Sequence, residues 1–327
     1  MKRREVMTVL AGAVASWPRP AFSARALRRV GVLMGVDAAD ASAQARIAAF
    51  RASLAELGWA EGRDVRIDVR WAAGDTQRML AEAAALVAEG QDAIMTSGTP
   101  AIAALRDATT TIPIVFVTYG DPVARGWVAS LAQPGGNLTG LANFETSIGG
   151  KWLEVLREIA PHITRVAALS NPQTEPRSLF MTTIETMAAA LGIETLAADV
   201  HDDAGISRAI ADIGRNGRGG LIVLPDVFNT VHRATIIAEA ARHRVPAIYS
   251  LRFFALAGGL ISYGIDNIDV YRRAASYVAR ILGGARPANL PVQLPSKFEC
   301  VINLTTAKGL GLPVTPRLRV IANEFIE

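Results

Sequence analysis

Two halves of this chain run through the same succession of elements. "RRVGVLM", "DVRIDVRW", "DAIMTSGTPA" and "IPIVFVTYG" follow one another with helical patterns between them, and "TRVAALSNP", "IETLAAD", "GLIVLPDVFN" and "VPAIYS" repeat that order. Apolar runs at 29–34, 64–70, 92–96 and 112–117, and again at 166–170, 193–197, 220–224 and 246–250, predict strands. Stretches such as "AQARIAAFRASLAEL" and "NTVHRATIIAEAARHR" carry the helical period between them. Apolar strands alternating with helices build a parallel sheet covered on both faces. The expected fold class is therefore α/β, in two similar parallel-sheet lobes.

The Gly/Pro-rich stretch "LAQPGGNLTGLANFETS" separates the halves and reads as a crossing between lobes. After the second half come a strand pattern "GGLISYG", a helical pattern over 269–283, the Pro-rich "GGARPANLPVQLPS" and a last strand pattern "FECVINL". These predict a return to the first lobe and a final crossing back, with crossings near Asn143, Leu251 and Pro291. The expected division is 27–143 plus 252–290 for the first lobe and 144–251 plus 291–327 for the second. Lobes joined by several strands of chain form a hinge around a cleft.

Residues 1–26 stand apart. "KRREVMTVLAGAVASWPRPAFSARA" has a basic head, an apolar stretch from Val6 to Ser16, and Ala24-Arg25-Ala26 as a small-x-small cleavage site before Leu27. This predicts a secretory signal peptide and a periplasmic protein. The Arg3-Arg4 pair suggests the twin-arginine route, although Val6 stands where that pattern usually has Phe. The same segment holds Lys2, Arg3, Arg4, Arg19 and Arg25 against Glu5, and the rest of the chain has 29 basic and 29 acidic residues. The net charge of +4 thus belongs to the leader, and no nucleic-acid partner is expected. No other segment is apolar enough to cross a bilayer, so no membrane insertion of the mature chain is expected. Cys300, the single cysteine, lies in the alternating "KFECVINL" and is expected to be a buried thiol.

In open parallel sheets a ligand sits beyond the carboxyl ends of the strands. The candidates there are Asp37, Ser97, Gly98, Thr99, Tyr119, Asp121, Asn171 and Asp226, with Asn143 at the first crossing. The corner "SGTP", a strand end opening into a helix, predicts an anion site made from the N–H groups of Gly98 and Thr99 and the hydroxyls of Ser97 and Thr99. Asp121 precedes Pro122, where it either caps the next helix or faces the ligand. Asn229 is placed to cap the helix near Thr230, which leaves Asp226 to face the cleft.

Familiar reaction centres do not emerge. Neither a G-x-G-x-x-G turn after the first strand nor a G-x-x-x-x-G-K-[ST] loop occurs, so nucleotide cofactors lack their cradle. Ser97 is outside any G-x-S-x-G, and His162, His201, His232 and His243 lack metal-binding spacing. The expectation is no catalytic residue, no metal and no cofactor, and a small-molecule ligand instead.

"RREVMTVLAGAVASWP", "AFRASLAELGWAEGRDV", "TIPIVFVTYGDPVARGWVASLAQPGGNLTGLANFET" and the long block from "HRVPAIYSLRFF" to "TTAKGLGL" resemble the ABC transporter substrate-binding protein family. That family includes the tryptophan- and tyrosine-binding lipoproteins of Gram-positive bacteria. The resemblance runs over essentially the whole chain. It implies a type I periplasmic-binding fold, two Rossmann-like lobes with a three-crossing hinge, and delivery of a small solute to an ABC permease and its ATPase. It also implies Ser97, Thr99, Asp121 and Asp226 as ligand contacts. The first loop, "VDAAD", departs from the family pattern in carrying two acids, and the lipid-anchor Cys is absent. Two other classes share such a chain: an exported α/β enzyme acting on a small carboxylate, and a ligand-sensing domain of a membrane receptor.

Overall fold

The computed structural model describes residues 27–143, 145, 147–174 and 178–327. The expected signal peptide lies outside the described residues. The first lobe contains β1 (Arg28–Met34), α1 (Ala41–Glu56), β2 (Val65–Trp71), α2 (Thr76–Ala88), β3 (Ala93–Ser97), α3 (Thr99–Ala108), β4 (Ile114–Thr118) and β5 (Leu138–Ala142). Its sheet is parallel, in the order β2-β1-β3-β4-β5. The expected crossing segment thus supplies an edge strand before it leaves the lobe.

The second lobe continues with α4 (Ile148–Ile159), β6 (Arg165–Ser170), α5 (Ser178–Leu191), β7 (Glu194–Asp199), α6 (Asp203–Gly214) and β8 (Gly219–Val223). Then come α7 (Val227–Val231), α8 (Arg233–Arg242), β9 (Ala247–Tyr249), α9 (Arg252–Leu256), β10 (Ile261–Ile265) and α10 (Asn267–Leu282). The chain ends with β11 (Phe298–Asn303), α11 (Leu304–Leu310), α12 (Pro316–Ile321) and β12 (Glu324–Ile326). The second sheet runs β12-β11-β10-β9-β8-β6-β7, parallel except where β10 meets β11 antiparallel.

This corrects the expected lobe boundary. The chain does not return to the first lobe at 252, because β10 pairs with β9 and β11 in the second sheet. Only α10 returns. Its Tyr271, Ala274, Tyr277 and Val278 pack with Ile47, Phe50 and Leu54 of α1 in one buried cluster. The last crossing also comes later than expected: Gln293 N–H donates to Gly140 O at 3.0 Å and Gln293 O accepts from Ala142 N–H at 2.9 Å, so residue 293 still borders β5.

Strand alternation divides each core into two layers. From β1, Val30, Val32 and Met34 face α1 and α10, whereas Leu33 faces α2 and α3 with Met79, Leu86, Ile102 and Leu105. In the second lobe α4, α5, α11 and α12 cover one face around Trp152, Phe180 and Ile184, and α6, α8 and α9 cover the other around Ile210, Ile236 and Phe254. Cys300 of β11 is buried in the former layer, and that burial pushes its thiol up to about 12.

Lys297 closes the hinge region by donating to Asp266 at 2.7 Å, which links the second and third crossings. Burial opposes ionisation of Asp266, but the Lys297 bond and the N–H groups of Asp269 and Ile268 outweigh it and hold the carboxyl below its ordinary range.

Candidate functional site between the lobes

The two sheets turn their carboxyl ends toward each other. Met34, Gly35, Val36, Arg46, Ser97 and Tyr119 of the first lobe meet Val227, Thr230 and Leu251 of the second around a space of about 20 Å³. That is room for roughly one water molecule. Val227 fills much of the contact: a methyl group built on Gly98 would come within 2.6 Å of its Cγ2, and one on Gly35 within 3.3 Å of its Cγ1. The missing side chains of Gly98 and Gly35 let the second lobe approach this closely.

Tyr119 crosses the interface. Its ring is buried among Leu169, Tyr249 and Leu251 of the second lobe, while its hydroxyl donates to Asn267 Oδ1 at 3.0 Å. Burial pushes that hydroxyl up to about 12 against the pull of Arg46, so it stays protonated. At the rim Arg233 of α8 donates to Asp40 Oδ2 at 2.5 Å. Arg46 and Arg233 both lie over the Phe253 ring, at 5.9 and 5.8 Å from its centroid.

The candidates from the sequence fare differently. Ser97 and Tyr119 come together in the space described. Gly98 borders it too, but its N–H already donates to Val117 O at 3.0 Å and Pro100 has none to offer, so the corner supplies fewer anion donors than expected. Thr99 is buried at the start of α3. Asp121 accepts from the N–H groups of Val123 and Ala124 at 2.8 and 3.1 Å, which is the capping geometry. Asp37 is exposed at the outer rim and accepts from Ala39 N–H.

Asn171 and Asp226 are brought together, though not as expected. Asp226 caps α7 by accepting from Phe228 N–H at 2.9 Å, and it also accepts from Thr174 Oγ1 at 2.6 Å and Asn171 N–H at 3.1 Å. Asn229, the expected cap, instead donates to the carbonyls of Leu169 and Leu224. The correction has a simple reason: the helix starts three residues earlier than its sequence pattern indicated. Asp226 therefore braces the loops after β6 and β8.

Several buried polar atoms have no hydrogen-bond partner among the described residues, including Arg46 Nη2 on α1 beside the interlobe space and, at the ends of β5, β6 and β9, both amide atoms of Asn143 and the hydroxyls of Ser170 and Ser250. Buried polar groups are ordinarily satisfied, so an unsatisfied one beside the interlobe space is a candidate to meet polar atoms of a ligand. Arg46 and Arg233 were not singled out from the sequence, and Asp40 stood there only as the second acid of "VDAAD". Arg46 left a trace there, since it falls on the same face of α1 as Ala43, Ile47 and Phe50.

A two-lobed α/β protein with a polar cleft between facing strand ends belongs to the solute-binding class, and the chain is a member of the ABC transporter substrate binding protein family, matched over residues 29–326. A tyrosine-binding protein of Clostridioides difficile (strain R20291) is 25% identical over 264 residues, covering 80% of this chain and 75% of that protein. The crystal structure of a conserved domain protein from Vibrio cholerae overlaps with a TM-score of 0.84 at 28% identity, covering 91% of this chain and 99% of that one. The structure of an ABC domain from Streptococcus pneumonia in complex with L-Trp also overlaps with a TM-score of 0.84, at 24% identity over 92% of this chain and 100% of that one. The fold is that of the type I periplasmic binding proteins, and the family comprises solute-binding proteins rather than enzymes. Among the described residues no helix is long and apolar enough to cross a membrane.

Proposed function

We propose that this protein captures an amino acid or a related small carboxylate between its lobes in the periplasm and hands it to an ABC permease and its ATPase. The observation that carries the reading is the buried, unsatisfied Arg46 Nη2 beside the interlobe space. Similarity to a tyrosine-binding protein and to a protein crystallised with L-Trp supports amino acids as the solute class and directs attention to aromatic ones. Ser97, Thr99, Tyr119, Asn143 and Asn171 remain proposed contacts, with Asp226 held against the second wall by its own lobe. Asp37, Gly98 and Asp121 are proposed to border the ligand rather than to hold it by charge. Residues 1–26 are proposed to direct export.

The inner space around Arg46, Ser97 and Tyr119, about 20 Å³, is far smaller than any amino acid, so a solute seated there requires the lobes to part and binding re-forms contacts on both sides. Thermal-shift screening of the purified protein against amino acids, purines and small carboxylates tests the solute class. At least one amino acid is expected to raise the melting temperature and to bind in the micromolar range, about 8 kcal/mol. Stabilisation by purines alone would reject the assignment.

A further inference from the structure

Helix α1 buries Ala43, Ile47, Phe50 and Leu54, and an arginine sits in the same stripe. Arg46 is only 7% exposed. Its guanidinium lies over the Tyr271 ring at 5.3 Å and beside Phe253, and its Nε donates to Ser42 O at 3.2 Å. Nη2 is fully buried and has no acceptor among the described residues. A charged donor held out of water without a partner is costly, and chains retain such a group where something else supplies the acceptor. Arg46 lines the interlobe space beside Ser97, Tyr119 and Thr230.

We propose that Arg46 is the anion anchor of the interlobe site, its Nη2 edge donating to a carboxylate oxygen of the solute. This rests on the reading of the cleft as the solute site, and it moves the anion from the "SGTP" corner to α1. The neighbouring groups define the ligand's charge. Arg233 is committed to Asp40, so one unpaired guanidinium matches one negative charge, and a doubly charged phosphate would leave a buried charge uncompensated. Tyr119 already donates to Asn267, and Thr230 donates to the Asp226 carbonyl, which leaves the Ser97 hydroxyl as the nearby neutral donor. Aromatic rings flank the guanidinium and shield the ion pair from water.

Calorimetric titration of the full chain and its R46K and R46M variants tests this. The probes are the twenty protein amino acids, the carboxamide of each one that binds, and a panel of neutral sugars and polyols. R46M should lose about 100-fold or more in affinity for the amino acid and change by less than about threefold for the carboxamide, with R46K between. Without ligand R46M should melt no lower than wild type, because methionine keeps the apolar stem and removes the unpaired charge. Equal losses for acid and carboxamide, unchanged binding of the acid, or a lowered ligand-free melting point would overturn the assignment and make Arg46 structural or irrelevant. Binding of neutral solutes alone would overturn it and leave the solute-binding reading standing. No binding in either panel would reject that reading, and the anchor with it.

Discussion

Gly98 shows how much a single absent side chain can decide. Its φ of +92° lies where L side chains are strained, and Val227 of the other lobe occupies the room a Cβ would need. Gly98→Ala should therefore carry two separable penalties: backbone strain of about 1 kcal/mol in any state of the cleft, and a steric term felt only when the lobes meet. Adding Val227→Ala should recover the second and leave the first. Ligand affinity measured over the four-member double-mutant cycle should show a coupling of about 1 kcal/mol, and strict additivity would mean that the two residues do not meet in the bound form. Asp226 teaches the complementary lesson. An acid at a strand end reads in sequence as free to face a ligand, yet the loop geometry supplied three donors from its own lobe.

At the scale of elements, two helix starts meet across the cleft. Asp40 caps α1 through Ala43 N–H at 2.8 Å, and Arg233 begins α8, where a cation is unfavourable to the helix dipole. Their ion pair settles both. Burial opposes the charge on Asp40, but hydrogen bonds from Ser42 and Ala43 and the Arg233 cation outweigh it and hold the carboxyl below its ordinary range. A depressed folded value means that the contribution is present above the usual carboxylate range and is lost as pH falls through it, below about 4. Asp40→Asn keeps the cap and removes the pair, so it should weaken ligand binding by about 1 kcal/mol near neutrality, the modest size reflecting the partly exposed arginine. Affinity measured from pH 6 down to 3 should fall in wild type toward the level of the variant, and parallel curves would show that the pair does not assist closure. Most strands of both lobes were legible because buried parallel strands are apolar throughout, but the three residues of the edge strand β12 carry too short a pattern to read. β5 was not, since "LTGLA" is a five-residue edge strand inside a Gly/Pro-rich stretch, and neither was the sheet that "GGLISYG" joins, because alternation marks a strand without naming its neighbour. The candidate site was legible in part for the same reason: strand ends located Ser97 and Tyr119, whereas Arg46 was hidden in a helix whose periodicity looked complete without it.

For the whole molecule, the lobes differ in how they are assembled from the chain. The first lobe keeps its α1 face uncovered until α10 docks there, and α10 follows every strand of the second lobe's parallel core. A fragment ending at residue 143 would expose Ile47, Phe50 and Leu54 together, each contributing about 1.5–3 kcal/mol when buried. Such a fragment should aggregate on expression, and co-expressing residues 266–293 should return it to the soluble fraction; a soluble, cooperatively melting 27–143 would contradict this. The order of synthesis is then not the order of completion. A nascent chain carries an unsealed first lobe past β6 to β10 of the second, and any stop codon upstream of α10 leaves the first sheet partly bare on one face and the second without at least β11 and β12, instead of one finished domain and one missing one.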